Sequence, residues 1–524
     1  MAPKYKILVI IIAVLFLAAN LFGTNYFVRT GGNDGNDGLS PSTAWKTVTK
    51  AAQYALSPGD TVFIGAGDYW EQMKVASSGS AGSPIVFYGD KTGEYTGDAG
   101  DINVGDGNKN NIFHIENKSC IVGQGIVFRY GRYSGVYIKN SANIVLKNCE
   151  MYWNTKYGIY CKQSQGELTI NSNIVKGGSV AGIGVYESYD DMNIVLKNST
   201  ISDASTGVYV YKTEIDSIWN NDIKGNNNLG IYLHTVDRCD IIAHNRVHEN
   251  WNKANIYLYK SSCGNISYNT VFKTNYYGIY VYGSTASYSL GAVEYNEVYE
   301  IWGKYGIFIK YINTDKISNN LVYNFAEKGI YFSGSSQYTV NHIDNNTVHD
   351  GWQDGIYILN CSGMESITGN IVYNTDIGIN WNASQYNTIA DFSANILHRN
   401  ITGGIKINKM KNSTIRNNLI YGNQYYWSSW GVYINDNGGN ALNVINNTFY
   451  NTGNYGIYGK NIAGVWKNNI VMGNINGIYG DGNFYVVSSY NCVYGNTNNW
   501  YGAASQGIGS FSEDPLFVDP AGVD

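Results

Sequence analysis

The chain has 524 residues, 35 basic and 40 acidic side chains and a formal charge of −5, and charged residues make up only 14 % of it. That balance, with no Lys/Arg-rich tract, excludes nucleic acid as the main partner. Seven cysteines, an odd number, exclude a disulfide framework, and no two have zinc-site spacing.

Residues 1–23 read as a targeting segment. Lys4 and Lys6 precede an apolar run over 7–19, shorter than a membrane span requires. A signal peptide and an uncleaved N-terminal anchor are the two readings, and both place the protein outside the cytoplasm, secreted or at the cell surface. Residues 24–110 hold an N-terminal cap and the first coils. Within 42–56, Trp45, Val48, Ala52 and Ala55 recur at helical spacing behind a Ser/Thr cap. A short amphipathic helix there would cover the open end of a stacked structure. Strand signals follow at Thr61–Ile64 and 85–88.

Residues 111–500 are built from a repeat. A phrase close to Gly-Ile-Tyr-Ile returns as Gly135-Val-Tyr-Ile, Gly158-Ile-Tyr-Cys, Gly207-Val-Tyr-Val, Gly278-Ile-Tyr-Val, Gly355-Ile-Tyr-Ile and Gly431-Val-Tyr-Ile, with copies between. In nearly every unit an asparagine stands two residues before an apolar residue, from Asn148, Asn173, Asn198 and Asn221 onward to Asn491. Self-similarity at a fixed short period means stacked units, not one globular core. A unit this short, rich in Ile, Val and Tyr and punctuated by Asn and Gly, holds two or three strands and tight turns. The leucine-rich frame is missing. The fold class is therefore all-β: a right-handed single-stranded parallel β-helix of about 15 or more coils, with a short N-terminal capping helix. Ile and Val point inward, and the Asn side chains stack as an internal amide ladder that satisfies buried polar groups.

Several segments resemble a known family. These are Gly35-Asn-Asp-Gly38, Ala44-Trp-Lys-Thr-Val, Ser57-Pro-Gly-Asp-Thr-Val-Phe-Ile, Gly67-Asp-Tyr-Trp-Glu and, in the C-terminal segment 501–524, Asp514-Pro-Leu-Phe-Val-Asp-Pro520. They are similar to the opening and closing segments of secreted pectin-lyase-like right-handed β-helix proteins. In that family more residues usually follow the closing segment, so truncation after Asp524 is one expectation. The resemblance covers nearly the whole length but marks the scaffold. Members include polysaccharide lyases, hydrolases, epimerases and proteins without known activity, so fold alone does not give function.

Three sets of side chains are candidates for function. The Tyr of each Gly-Ile-Tyr-Ile phrase points outward, because its Ile neighbours take the inside. Tyr137, Tyr160, Tyr186, Tyr209, Tyr232, Tyr257, Tyr280, Phe308, Tyr331, Tyr357 and Tyr433 would then form a stripe, broken at Asn380 and Lys406. It stabilises the stack, and it is a candidate face for sugars or another copy of the chain; the two readings are compatible. A second set, Trp153, Trp251, Tyr276, Trp302, Phe325 and Trp352, falls in turns and reads as one wall of a saccharide cleft or as loop side chains packing on each other. Substrate contacts are thus expected from Tyr209, Tyr232, Tyr257, Tyr280, Trp251, Trp302 and Trp352.

The third set is charged. Asp190, Asp191, Glu214, Asp216, Asp237 and Asp240 come from three successive coils, interleaved with Lys212, His234, Arg238 and Lys260. Carboxylates stacked one coil apart can ligate Ca²⁺, which takes six to eight oxygens. The resemblance implies what such a site would do: lyases on this scaffold pair Ca²⁺ with a basic side chain that removes the C5 proton of a uronate. Lys212 or Lys260 would be that base, with His234 or Arg238 assisting and Asp190, Asp191, Asp216, Asp237 and Asp240 holding the cation. Asp190, Asp191 and Asp216 would equally serve a hydrolase, and solvated acidic turns are the plain alternative. His248, His349 and His398 share one repeat position and read as substitutes for Tyr. Cys239 and Cys263, at equivalent places on adjacent coils, are either a disulfide or two small buried hydrophobes. The sequon at Asn198 is expected to be buried as a ladder residue.

Three functions remain open: a secreted lyase or epimerase on an acidic polysaccharide, a non-catalytic glycan-binding or adhesive surface protein, and a structural rod.

Overall fold

The computed structural model of the protein describes residues 23–189, 192–335, 337–423 and 428–517. The targeting segment, apart from Gly23, lies outside the described residues. So do Asp190, Asp191 and the last seven residues. The chain divides into two units, Met1–Cys239 and Asp240–Asp524.

Each coil has three strands. In the first unit one coil runs through Ser134–Lys139, Ala142–Lys147 and Glu150–Tyr152, and the next through Tyr157–Lys162, Gln165–Asn171 and Ile174–Lys176. Each strand pairs in parallel with its equivalent one coil on. Among the described residues the short third strand recurs seven times in the first unit, from Gly67–Tyr69 to Asp222–Lys224. It recurs eleven times in the second, from Arg246–His248 to Cys492–Tyr494. The alternation of the sequence dictates the faces: Val136 and Ile138 are buried while Tyr137 and Lys139 between and beyond them point out. The expected parallel β-helix is the architecture found.

The N-terminal helix is Val48–Gln53, capped by Thr47, whose hydroxyl accepts the Lys50 N–H at 3.1 Å. It buries Val48, Ala51 and Ala52. It is shorter than the pattern suggested. Trp45 precedes it and is buried, stacked on Tyr26 at 5.0 Å.

Corners between strands are single residues in the left-handed region. Asn140, Gln163, Glu187 and Lys212 make the first corner, Asn148, Ser172, Asn198 and Asn220 the second, Trp153 and Asp203 the third. For a residue with a side chain that conformation costs about 1 kcal/mol or more. A polar column directly after each corner offsets it. At the first corner the Ser141 and Ser164 N–H groups donate to the hydroxyls of Ser164 and Ser188 at 3.3 Å each, and Ser188 N–H donates to Thr213 at 3.0 Å. At the second corner Asn173, Asn221 and the asparagines from Asn245 to Asn491 form the amide ladder. Asn245 donates both its backbone and side-chain N–H to Asn269 Oδ1 at 3.0 Å. Asn269 does the same to Asn296, and the pattern repeats to Asn491.

Two expected ladder positions are corrected. Asn148 and Asn198 are exposed corner residues, and Cys149 and Ser199 take the buried places beside them. Ser199 Oγ accepts the Asn173 N–H at 3.1 Å. The Asn198 amide instead lies outside, donating to Asn171 at 2.9 Å, so its sequon is on the surface. Cys120, Cys149, Cys161, Cys361 and Cys492 are free and buried. Burial pushes the Cys149 thiol up to about 11 and Cys161 up to about 12, away from reactive thiolate chemistry. Cys239 and Cys263 are also buried, one in each unit. Among the described residues no helix is long and apolar enough to cross a membrane.

Candidate functional site

Tyrosines of the first strand do point outward, and most of their rings stack on the next coil. Tyr209 and Tyr232 lie 4.9 Å apart at 7°. In the second unit Tyr257, Tyr280, Phe308 and Tyr331 follow one another at 4.7, 4.9 and 4.6 Å, within 17° of parallel. Stacking of this kind uses up ring faces and leaves edges and hydroxyls to solvent. A sugar that docks on an aromatic ring needs a face. Along its continuous stretches the stripe packs ring on ring. Between Tyr160 and Tyr209 the register sets Gly184, and the ring of Tyr186 fills the stripe there, 5.3 and 5.2 Å from theirs. Tyr186, two residues on, folds over that glycine, where a Cβ would come within 2.7 Å of its ring.

The charged set falls in both units. Lys212 occupies a corner with φ 48° and holds its ammonium over the Tyr211 ring at 5.1 Å. With Thr213, Glu214, Thr235 and Asp237 it lines a cavity of about 280 Å³. Arg238 bridges Glu214 at 2.7 Å and Asp216 at 2.8 Å. A cation is thus already in place between two of the carboxylates. His234 packs among rings, 4.9 Å from Tyr211 and 5.5 Å from Tyr232, with Nδ1 3.2 Å from the Tyr209 hydroxyl. Asp240 and Lys260 belong to the second unit, where Lys260 holds a corner and lies 5.4 Å over Tyr259. Among the described residues no three His, Cys, Asp or Glu side chains converge as a metal site. Of the five carboxylates expected to hold Ca²⁺, Arg238 pairs with Asp216, while Asp190 and Asp191 lie outside the described residues.

In the turn set Trp302 and Trp352 are exposed, and Trp251 stacks on Trp302 at 6.2 Å. Phe325 is a correction. It is buried in the core, in register with Ile301 and Gly351. Counted from the ladder Asn it falls one residue short of Trp251, Trp302 and Trp352, which is the signal that separates it. The three histidines do share one column of stacked rings. His349 lies between Tyr323 and Tyr373 at 5.2 and 4.6 Å, and His398 between Tyr373 and Tyr421 at 4.8 and 4.9 Å.

The break in the Tyr stripe is where polar groups gather. Register sets Asn380 beside Tyr357 and Lys406 between Asn380 and Tyr433. Asp354, one residue before its repeat Gly, is only 7 % exposed. Burial pushes its carboxyl above the ordinary carboxylate range. Lys328 opposes this, as does the Asn380 amide, which donates to Oδ2 at 3.2 Å; the charge of Asp376 adds to the rise, and Lys406 opposes it. Asp376 accepts a short hydrogen bond from the Thr402 hydroxyl. Lys328 is held over the rings of Tyr331 and Tyr357 at 5.9 and 5.0 Å and donates to Gln353 at 2.8 Å. Beyond the break the Trp430 indole folds onto Gly403, where no Cβ would fit. A buried carboxyl is thus influenced by a second carboxylate and two ammonium groups, with aromatic rings nearby, a combination that acid–base chemistry uses. Sequence reasoning marked Asn380 and Lys406 only as a gap. Their coincidence with Lys328 and Asp354 in neighbouring coils was the available signal.

The fold and repeats place the protein in the right-handed beta helix family: it matches the right handed beta helix region over residues 85–213, 134–292, 184–342, 292–394 and 340–498, and belongs to it. A stretch of 55 residues, 10 % of the chain, is 39 % identical to alpha-1,3-galactosidase A of Akkermansia muciniphila. The match spans 9 % of the length of that curated relative. Among solved structures, a mannuronic acid specific family 6 polysaccharide lyase from human gut microbiota is similar with a TM-score of 0.38 at 11 % identity, covering 67 % of this chain and 86 % of that one. The A-module of the Azotobacter vinelandii mannuronan C-5 epimerase AlgE4 gives 0.31 at 15 % identity, covering 74 % and 86 %. XylC in complex with xylose gives 0.34 at 12 % identity, covering 67 % and 84 %.

Proposed function

We propose that the protein is an extracytoplasmic enzyme that cleaves a glycosidic bond in an acidic polysaccharide at the break in its tyrosine stripe. One observation carries this reading: Asp354 is a buried carboxyl pushed above the ordinary carboxylate range by burial, with the charge of Asp376 adding to the rise. Glycoside hydrolysis needs that pair, an acid to protonate the leaving oxygen and a carboxylate to activate water or stabilise the cationic ring. Asp354 donates its proton to the glycosidic oxygen, with Asn380 orienting the carboxyl. Asp376, steadied by Thr402, is the partner carboxylate. Lys328 and Lys406 neutralise a sugar carboxylate and so select a uronate-containing chain. The bond from the anomeric carbon to the leaving oxygen breaks, and water supplies the new hydroxyl and the proton that returns to Asp354.

A second reading has its own support. Lys406 stands on the Tyr strand at the break, and a lysine there could remove the proton α to a uronate carboxyl, giving elimination in place of hydrolysis. Incubation with pectate, alginate and neutral glycans tests both. New reducing ends without ultraviolet absorbance of unsaturated sugars support hydrolysis, and that absorbance supports elimination. If wild type yields no product while still binding one of the polymers, catalysis is refuted and a glycan-binding surface protein is the better account. Asp354→Asn and Asp376→Asn should each abolish product.

A further inference from the structure

On the third-strand side of the first unit three aromatic rings form a stack that ends open. Trp70 lies on Tyr130 at 5.9 Å and 16°, and Tyr130 on Trp153 at 5.4 Å and 11°. The Arg129 guanidinium sits over Trp70 and Tyr130 at 5.5 and 5.4 Å and pairs with Asp68. One face of the Trp153 indole is thus held rigidly by Tyr130. Its side chain is nevertheless 62 % exposed.

The reason lies in the next coil. Register sets Tyr152 beside Lys176 and Lys176 beside Ser202, so the positions above Trp153 are Gly177 and then Asp203. A Cβ added to Gly177 would meet nothing within 4 Å. Among the described residues the aromatic rings paired with Trp153 are Tyr152, tilted by 44°, and Tyr130. Its second face looks into a place one coil deep, closed on the far side by Asp203, whose carboxylate pairs with Lys176 at 3.4 Å. Two coil spacings, about 10 Å, separate the Trp153 and Asp203 backbones. That is room for one saturated six-membered ring stacked on the indole, with a hydroxyl reaching the carboxylate.

We propose that this slot binds one pyranose residue of a polysaccharide, its C–H face on Trp153 and its hydroxyls on Asp203 and Lys176. The stack below has already fixed the indole, so little side-chain freedom is lost on binding. The surroundings argue against a protein partner. A stable protein interface needs about 800 Å² per partner, whereas this place is one ring wide and bordered by Lys176 and Asp203. An aromatic face bordered by a paired acid and base offers what a sugar presents, an apolar face and hydroxyls that both donate and accept. The site lies wholly in the first unit and does not depend on Asp354.

Affinity electrophoresis of the full chain through gels containing glucan, galactan, mannan, xylan or polygalacturonate tests it. Asp354→Asn serves as the parent, so that turnover does not erase the polymer. The parent should be retarded by at least one polymer. Trp153→Ala should weaken that binding about tenfold, the order expected for one stacked ring, and Asp203→Ala severalfold. Trp153→Ala that migrates like the parent, or a parent retarded by none of the five, overturns the proposal. Turnover of short oligosaccharides by otherwise wild-type chain carrying Trp153→Ala should be unchanged. Loss of binding here and loss of cleavage at Asp354 therefore report on separate readings.

Discussion

Truncating Asn370 to alanine should be among the most damaging single changes in the second unit. Asn370 is fully buried. Its Oδ1 accepts the backbone and side-chain N–H of Asn346, both at 3.0 Å, and its amide donates to Ile343 O at 2.8 Å and to Asn395 Oδ1 at 2.9 Å. Alanine leaves the Asn346 N–H without its acceptor and the Ile343 carbonyl without this donor, in a dry interior. At about 1–3 kcal/mol per buried polar group left unmade, the loss is about 3 kcal/mol. Serine should cost about half as much, because a hydroxyl can still accept the N–H below it, as Ser199 does for Asn173 at 3.1 Å. A stack of coils need not unfold in one step, so local hydrogen exchange is the suitable assay. A 3 kcal/mol loss corresponds to about a hundredfold faster exchange of amides in the coils beside Asn370. Acceleration below tenfold for alanine, or equal acceleration for alanine and serine, would refute the ladder as an energetic element.

Asp354→Asn should stabilise the protein at neutral pH by about 1 kcal/mol, the scale seen when a functional residue held at a cost is relieved. The sign follows from the carboxyl being raised in the folded state: what it contributes is full below the ordinary carboxylate range and is lost as pH rises through the raised value. Melting curves should therefore separate above that window and converge below it, and a destabilised variant at neutral pH would contradict the burial argument. His398 is shifted the other way, pushed below its ordinary value of 6.5 by burial and then by Arg399. Stability from this group is full above that value and is lost as pH falls through the depressed one, so His398→Tyr should flatten the acid side of the stability profile near this coil. Exchange rates that show no such flattening would count against it. Arg238 supplies a third check: Ca²⁺ should leave the melting temperature of wild type unchanged, whereas Arg238→Ala frees Glu214 and Asp216 and should gain a Ca²⁺-dependent rise. A Ca²⁺ response in wild type would show that the carboxylates are not satisfied by the arginine.

Much of the fold was legible because every coil repeats the same instruction. The alternation around Tyr137 fixes which side chains enter the core, and a buried amide is satisfied by polar groups at the equivalent place one coil away, most often another amide. Errors arose where one residue decides between two neighbours. Asn148 and Asn198 carry the ladder letter but stand at the left-handed corner, which Asn tolerates well, leaving Cys149 and Ser199 inside. Phe325 reads like Trp302 until the count from the ladder shows it one place earlier, on the inward side. Tyr186 stands two residues beyond the stripe position, which Gly184 holds, and its ring folds back to fill the stripe there.

Function divided along the same line. From the chain alone came the parallel β-helix, its outward tyrosines, the shared column of His349 and His398, and the gap at Asn380 and Lys406, because period and alternation are properties of sequence. What tertiary structure alone decided was the use of those positions. Whether outward rings offer faces or edges depends on their spacing and tilt, and in the stripe they offer edges. Whether stacked acids hold a cation depends on what reaches them, and Arg238, up to 24 residues from its partners in sequence, reaches two. The pairing of Asp354 with Asp376, Lys328 and Lys406 spans four coils. It exists only because a solenoid lays residues some two dozen apart in sequence within a few ångströms of each other, and burial there raises a carboxyl that in isolation would be an ordinary acid.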